Sequence, residues 1–175
     1  MANIENDINY INKIVHDLQD FTRTIKFVAK VIDLQTICEE VLLKIDIPNN
    51  VEATCKIETA AKVITSDPDA LKRVLENLVT NAVQAMPDGG QLTIKGYEEA
   101  ESIVVSVKDT GGGIPDSVKD KLFTPLFTTK AKGQGFGLAV VKRITEALGG
   151  TISFESQIGK GTAFFVRLPS KTKDQ

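Results

Sequence analysis

Apolar side chains recur in alternating steps of four and three along the N-terminal part of the chain. The seam is formed by Ile4, Ile8, Ile11, Val15, Leu18, Thr22, Ile25 and Ala29. This heptad spacing is typical of a coiled coil or a helical bundle, so it predicts one long helix over residues 3 to about 30. Such a narrow stripe needs a partner helix, and no second long heptad pattern follows. We expect a homodimer through residues 4–29 or a partner helix outside this chain, the alternative being a helix that lies on its own domain.

After residue 30 the pattern changes to shorter elements. Asp33 is an N-cap residue type and predicts a helix through Leu43, and Pro68 opens a helix that runs to Met86. Further predicted elements are strands at 51–58, 61–65, 91–98, 102–108, 151–156 and 162–168, a short helix after Pro115, a polar loop at about 124–134 and a helix at about 135–148. The predicted fold class is an α/β (α+β) two-layer sandwich, in which a mixed sheet of about five to six strands packs on three helices. We divide the chain into a helical segment at 1–31, one domain at 32–170 and a tail at 171–175.

Composition and charge exclude several classes of function. The 175 residues carry a formal net charge of -2 with scattered basic residues, so neither nucleic acid nor an anionic membrane is an expected partner. Cys38 and Cys55 form no CxxC pair, and the single histidine cannot complete a zinc site, which favours two free thiols. No apolar stretch approaches the ~20 residues that span a bilayer, and the polar N-terminus does not resemble a signal peptide. We expect a soluble, cytoplasmic domain, which could still be cut from a membrane-bound parent.

Three carboxamides share one face of the predicted helix at 68–86. Asn77 and Asn81 are four residues apart, and Gln84 is three further on. Because an unpaired buried amide costs roughly 1–3 kcal/mol, these side chains need partners. They could bridge neighbouring loops, or their oxygens could coordinate Mg²⁺, a hard ion that takes oxygen ligands.

A first glycine-rich segment follows a predicted strand. Asp109 ends the strand, and glycines occupy 111–113. Glycine allows the backbone to approach a ligand closely. A buried carboxylate there can accept a hydrogen bond from an exocyclic amine such as that of adenine. The alternative is a plain turn capped by the aspartate.

A second glycine-rich segment leads into a helix. Glycine stands at every second position from 133 to 137, and Lys130 and Lys132 precede it. Backbone N–H groups at a helix N-terminus bind phosphate, and the helix dipole assists. The spacing G-x-G-x-G differs from both the P-loop and the dinucleotide fingerprint, and no preceding strand supports either fold.

Two aromatic residues, Phe123 and Phe127, bracket the polar loop between these glycine-rich segments. They could simply anchor the loop. Alternatively, the loop is a lid that closes over a nucleotide.

The order of these four elements resembles the Bergerat ATP-binding fold. That fold is shared by histidine kinases, type II topoisomerases, the mismatch-repair protein MutL and the ninety-kilodalton heat-shock chaperone. The resemblance covers about residues 34–169 and is close to the histidine kinases in particular. Residues 123–130 resemble the kinase F box, residues 133–141 the pattern G-x-G-x-G-L-A-I-V, and residues 161–165 the pattern G-T-x-F.

The resemblance implies the ATP-binding catalytic domain of a two-component sensor histidine kinase. Residues 1–31 would then be the end of a dimerisation and phosphoacceptor hairpin. ATP and Mg²⁺ are the implied cofactors, and the kinase's own dimerisation domain and a response regulator are the implied partners. The implied ATP-binding residues are Asn77, Asn81, Gln84, Ala85, Asp109, Gly111, Gly113, Ile114, Phe123, Thr128, Thr129, Lys130, Gly133, Gln134, Gly135, Phe136, Gly137, Leu138 and Thr162.

The same resemblance implies roles for the residues near the base and the metal. Asn81, helped by Asn77, would hold Mg²⁺. Asp109 would bind the adenine amine, with Thr162 behind it, and Gly111 and Gly113 would let the base approach.

Around the phosphates, the resemblance implies that residues 128–130 sit in the lid and that the glycines at 133, 135 and 137 cradle the phosphoryl groups. Two positions depart from the family pattern. Gln84 stands where many kinases have a basic or aromatic residue, and Phe136 replaces a common leucine.

Asn77 bears on the choice between phosphoryl transfer and hydrolysis. Hydrolysing members of this fold resemble one another in having a glutamate four residues before the Mg²⁺ asparagine, where it acts as general base for water. Asn77 occupies that position here and cannot abstract a proton, while Glu76 lies about 100° away around the helix. We therefore favour phosphoryl transfer. A hydrolysing ATPase and a non-phosphorylating ATP-binding module are the alternatives.

His16 is the only histidine, and the aspartate after it resembles the start of a kinase H box. The family pattern H-E-L-R-x-P is not continued, because residues 18–21 read Leu-Gln-Asp-Phe. Asn81 follows His16 by 65 residues (81 − 16), too few for a hairpin of two long helices between them. We therefore expect the phosphoacceptor histidine to lie outside this chain.

Overall fold

The computed structural model describes residues 27–128 and 135–170. Most of the predicted N-terminal helix lies outside these residues, but the expectation that it reaches about residue 30 is wrong. Residues 27–29 have no regular structure, and a strand, β1, follows at Lys30–Asp33. β1 pairs antiparallel with the strand β3 at Val63–Ser66, and the Val28 amide donates to the Asp67 carboxylate at 2.7 Å. At the end of the predicted helix, the Val28 amide therefore bonds the Asp67 side chain and Lys30 pairs with Ser66 of β3, in place of helical hydrogen bonds.

One layer of the described fold is helical. Its helices are α1 (Leu34–Lys44), α2 (Pro68–Gln84), the short α3 (Asp116–Lys119) and α4 (Gly137–Ala147). The predicted N-cap Asp33 is confirmed, since it accepts from the Thr36 amide at 3.1 Å. Asp67, directly before Pro68, caps α2 in the same way by accepting from the Ala70 amide at 2.9 Å. The three long helices form the predicted helical layer, because α1 and α4 both pack against α2.

The other layer is a mixed sheet of five strands. They are β2 (Val51–Ile57), β4 (Gly90–Glu99), β5 (Ser102–Asp109), β6 (Thr151–Gln157) and β7 (Gly161–Pro169), in the order β2-β4-β5-β7-β6. β2 and β4 run parallel, and every other neighbouring pair is antiparallel. The two-layer α/β class is confirmed. The predicted strand at 61–65 forms β3, which belongs to the small sheet with β1 and is not a sixth strand of the main sheet.

The alternation of side chains along β5 determines which face of the sheet carries the Asp109 carboxylate. Ile103, Val105 and Val107 are buried in the core under the helices. Because side chains two residues apart share a face, Asp109 lies on this same face at the end of the strand. The last residue of the strand therefore brings a carboxylate to the edge of the core.

None of the helices in the two described ranges is long and apolar enough to cross a membrane.

Candidate functional site

Asp109 is a buried carboxylate held by backbone amides. Its side chain is 3% exposed. Oδ1 accepts hydrogen bonds from the Gly111 amide at 2.8 Å and from the Thr162 amide at 3.2 Å. Burial of a carboxylate is costly unless such donors compensate it. The two amides come from different parts of the chain, so they fix both the position and the orientation of this group.

The glycine turn after Asp109 is wedged between two other elements. The Gly112 amide donates to the Ala85 carbonyl oxygen, at the end of α2, at 3.2 Å. A Cβ on Gly111 would lie 2.3 Å from that same oxygen. On the other side, Gly113 has a φ of +74°, and a Cβ there would lie 2.2 Å from the Gln157 carbonyl oxygen. Both positions exclude a side chain because protein backbone lies against them, so glycine is required there by packing within the protein.

The hairpin between β6 and β7 closes the other side of Asp109. Gly161 has a φ of +95°, and a Cβ there would lie 2.0 Å from the Asp109 carbonyl oxygen. Thr162 is buried behind the carboxylate, and its hydroxyl lies 2.9 Å from the Ser156 hydroxyl. Ser156 also accepts from the Ile114 amide at 2.8 Å. The structure thus brings Thr162 and Ile114, both predicted site residues, into contact with one hydroxyl that the sequence did not single out.

The asparagines of α2 meet the first turn of α4. A Cβ on Gly137 would lie 3.0 Å from Asn77 Oδ1 and 3.8 Å from Asn81 Nδ2. The Asn77 side-chain nitrogen is occupied, since it donates to the Arg73 carbonyl at 2.9 Å. Its oxygen therefore lies on the side of Gly137. A carboxamide oxygen beside a glycine at a helix N-terminus is a donor set that suits a hard cation bound together with phosphates.

The remaining predicted residues of α2 differ in exposure. Gln84, in the last turn of the helix, is exposed. Ala85 is half-buried, and its carbonyl oxygen accepts a hydrogen bond from the Gly112 amide. Ala85 therefore supports the glycine turn through its backbone.

The aromatic loop is anchored at both ends. Phe123 packs edge-on against Phe154 with ring centroids 5.9 Å apart, and Phe154 is 5.9 Å from Phe164 in the core. At the other end, Gly135 has a φ of +71°, and a Cβ there would lie 2.6 Å from the Phe127 nitrogen. Gly135, just before α4, therefore lies against the backbone of Phe127.

The other predicted ATP-binding residues of the segment 128–138 lie partly within the described ranges. Thr128 is exposed, Phe136 is buried at the N-cap of α4, and Leu138 is half-buried. Thr129, Lys130, Gly133 and Gln134 lie outside the described residues. His16 lies outside them as well.

The sequence reasoning missed Ser156 and Lys119. The Lys119 ammonium donates to the Ser156 carbonyl at 3.0 Å and pairs with Asp116 at 2.6 Å, which ties α3 to the hairpin. The only sequence signal for Ser156 was its place in a predicted strand six residues before Thr162.

Comparisons with known proteins agree on one family. Residues 66–172 match the family described as histidine kinase-, DNA gyrase B- and HSP90-like ATPase. The sensor histidine kinase ZraS of Escherichia coli (strain K12) is 36% identical over 162 residues, which cover 91% of this chain and 35% of that protein. The chain thus spans about a third of the length of this curated relative.

Solved structures give the same result. The catalytic domain of histidine kinase ThkA has a TM-score of 0.74 and 30% identity, covering 82% of this chain and 97% of that one. Histidine kinase ThkA in complex with the response regulator protein TrrA has a TM-score of 0.79 and 27% identity, covering 96% of this chain and 49% of that one. The chain belongs to the histidine kinase-, DNA gyrase B- and HSP90-like ATPase family, and within it to the ATP-binding catalytic domains of histidine kinases.

Proposed function

We propose that this domain binds ATP with Mg²⁺ and donates the γ-phosphoryl group to a histidine side chain other than His16. From that histidine the group would pass to an aspartate of a response regulator. The observation that carries the proposal is the buried Asp109 carboxylate, held by the Gly111 and Thr162 amides at the edge of a glycine turn that has no room for a side chain at Gly111 or Gly113.

Adenine recognition is assigned to Asp109. A carboxylate accepts a hydrogen bond from an exocyclic amine, whereas a nucleobase with a carbonyl at that position would place an acceptor against an acceptor. Gly111 and Gly113 let the turn pack closely between Ala85 and Gln157 beside the carboxylate, and Ile114 follows them at the half-buried end of the turn. Thr162 supports the carboxylate from behind through its amide.

The phosphate side is assigned to the junction of α2 and α4. Asn81 and Asn77 would hold Mg²⁺ through their side-chain oxygens, and the bound ion would supply charge neutralisation on the phosphates. The backbone N–H groups at Gly137 and Leu138 lie at a helix N-terminus, where anions are stabilised. Residues 128–134 would complete the phosphate cradle as a lid, with Lys130 as its cation.

Transfer to a side chain is favoured over hydrolysis by the residue at position 77. A general base for water must accept a proton, and the Asn77 amide does not. Its nitrogen donates to the Arg73 carbonyl, and its oxygen would act as a neutral ligand of the metal ion. Catalysis then rests on positioning the phosphates and neutralising their charge.

Two partners follow from this function. A dimerisation domain would present the acceptor histidine, with residues 4–29 as the homodimer contact. The structural relative ThkA was solved with the response regulator protein TrrA, which supports a response regulator as the second partner. Because phosphoryl transfer draws on the cytoplasmic pool of ATP, we also place the domain in the cytoplasm.

Calorimetry of ATP binding to the 175-residue chain tests the proposal. With Mg²⁺ present, the wild type should bind ATP, and Asp109→Asn should bind it at least about tenfold more weakly, because the amide replaces an ionic acceptor whose hydrogen bonds are worth roughly 1.5–3 kcal/mol. Equal affinities would remove the adenine assignment.

A transfer assay separates kinase from ATPase. A histidine-bearing dimerisation domain from a related kinase is added together with radiolabelled ATP. The acceptor should become labelled in an acid-labile form, while steady-state phosphate release stays negligible. Robust phosphate release that Asn77→Ala leaves intact and Glu76→Ala abolishes would establish a hydrolase in place of a kinase.

A further inference from the structure

We propose that Ser156 is a positioning residue for adenine recognition, acting through the peptide group that donates to Asp109. This inference rests on the proposed ATP-binding function and extends it to a residue of the β6–β7 hairpin.

The Ser156 hydroxyl contacts three groups from two segments of the chain. It donates to the Gly161 carbonyl at 3.2 Å, accepts from the Ile114 amide at 2.8 Å, and lies 2.9 Å from the Thr162 hydroxyl. A serine hydroxyl has one proton and two lone pairs, so these contacts are satisfied together when Thr162 donates to Ser156. The hydroxyl is then fully used by the protein.

The contact with Gly161 leads directly to Asp109. The Gly161 carbonyl and the Thr162 N–H belong to the same planar peptide group. Ser156 holds the oxygen end of this group, and the N–H end donates to Asp109 Oδ1 at 3.2 Å. A hydrogen bond at one end of a peptide polarises it and strengthens the bond at its other end. Ser156 therefore orients the donor that holds the adenine-binding carboxylate.

The contact with Ile114 links Ser156 to the glycine turn that follows Asp109. Ile114 ends the glycine turn whose first residue, Gly111, also donates to Asp109 Oδ1. A second link, from the Gly159 amide to the Gly112 carbonyl at 2.9 Å, joins the hairpin and the turn. Both amide donors of Asp109 thus lie in segments that Ser156 connects.

Serine chemistry is specific for this task. Alanine offers neither donor nor acceptor and would leave the Ile114 amide and the Gly161 carbonyl without this partner. Cysteine keeps the shape of the side chain but bonds weakly, whereas threonine keeps the hydroxyl. Ser153 provides a matched control on the same strand, because its hydroxyl accepts from the exposed Arg167 guanidinium at 2.7 Å, away from Asp109.

The test compares ATP binding and phosphoryl transfer in the full chain. Ser156→Ala should weaken ATP binding about threefold to tenfold, the equivalent of one typical protein hydrogen bond. With a supplied acceptor domain, KM for ATP should rise by the same factor while kcat changes by less than about twofold, since the phosphate side is untouched. Ser156→Thr should restore binding, and Ser153→Ala should bind ATP like the wild type.

A double-mutant cycle with Asp109→Asn tests whether Ser156 affects ATP binding through Asp109. If Ser156 acts through Asp109, then Ser156→Ala should add little to the Asp109→Asn loss, because residues in one network are not additive. An undiminished effect in that background would overturn the proposal. Should Ser156→Ala fail to fold, the ATP affinity of Ser156→Cys is compared with wild type and in the Asp109→Asn background in its place.

The outcomes separate this inference from the function beneath it. A wild-type chain that does not bind ATP would refute the proposed function itself. A wild type that binds, with Ser156→Ala binding equally well, would refute only the role of Ser156. A lowered melting temperature in Ser156→Ala with unchanged ATP affinity would show a structural residue and would also overturn the inference.

Discussion

Neighbouring glycines in the turn after Asp109 should respond in opposite ways to the same substitution. A Cβ on Gly111 would lie 2.3 Å from the Ala85 oxygen, whereas a Cβ on Gly112 would meet nothing within 4 Å. Neither residue has a left-handed φ, so the difference is steric and not conformational. Gly111→Ala and Gly112→Ala therefore form a matched pair.

The cost of Gly111→Ala follows from the displacement it forces. Contacts shorter than 3.0 Å are essentially never seen for a Cβ, so the turn must withdraw from Ala85 by about 0.7 Å, from 2.3 Å to at least 3.0 Å. The hydrogen bond from Gly112 to Ala85, at 3.2 Å, then exceeds a hydrogen-bond distance. Losing this bond and straining a packed turn should lower the free energy of unfolding by about 2–4 kcal/mol. Gly112→Ala should be neutral or stabilising by up to about 1 kcal/mol, because alanine restricts the unfolded chain.

Urea unfolding followed by circular dichroism gives both free energies of unfolding, and calorimetry gives the ATP affinities. Gly111→Ala should also weaken ATP binding, since the Gly111 amide donates to Asp109. Equal unfolding free energies for the two variants, or a Gly111→Ala value within about 0.5 kcal/mol of wild type, would refute the steric reasoning.

Three further predictions concern other residues of the chain. Phe123→Ala should cost about 2 kcal/mol in urea unfolding, because it removes a half-buried ring that packs edge-on against Phe154, and an unchanged midpoint would contradict this anchor. A side-chain hydrogen bond with Cys38 lowers the pKa of the Cys55 thiol, whereas the same contact and burial raise the pKa of Cys38. Iodoacetamide should therefore modify Cys55 first, at a pH below that needed by an ordinary thiol, and mass spectrometry showing Cys38 modified first would oppose this order. Finally, His16→Ala should leave acid-labile labelling of a supplied acceptor domain unchanged, and its loss would identify His16 as part of the transfer route.

Local signals in the sequence predicted most of the helices and strands. Asp33 and Asp67 each precede a helical pattern, and both cap a helix through an amide only three residues away. Such bonds depend on a single turn of chain, so a short window of sequence contains all of their partners. The heptad pattern failed near residue 30 for the opposite reason. Whether the chain at Lys30 is strand or helix depends on its pairing with Ser66, which is 36 residues away (66 − 30).

What the sequence by itself determined was the chemical inventory: the asparagine pair, an aspartate at the end of a strand, and glycines in the order of a known nucleotide site. Only the tertiary structure decided how these groups support one another. Asp109 is held by Thr162, a residue 53 positions away, and the peptide that holds it is in turn oriented by Ser156. The same holds for Gly111, whose need for glycine comes from the Ala85 carbonyl at the end of a helix. These contacts are invisible in the sequence because a hydrogen bond or a steric exclusion needs two partners, and the fold alone brings distant partners together.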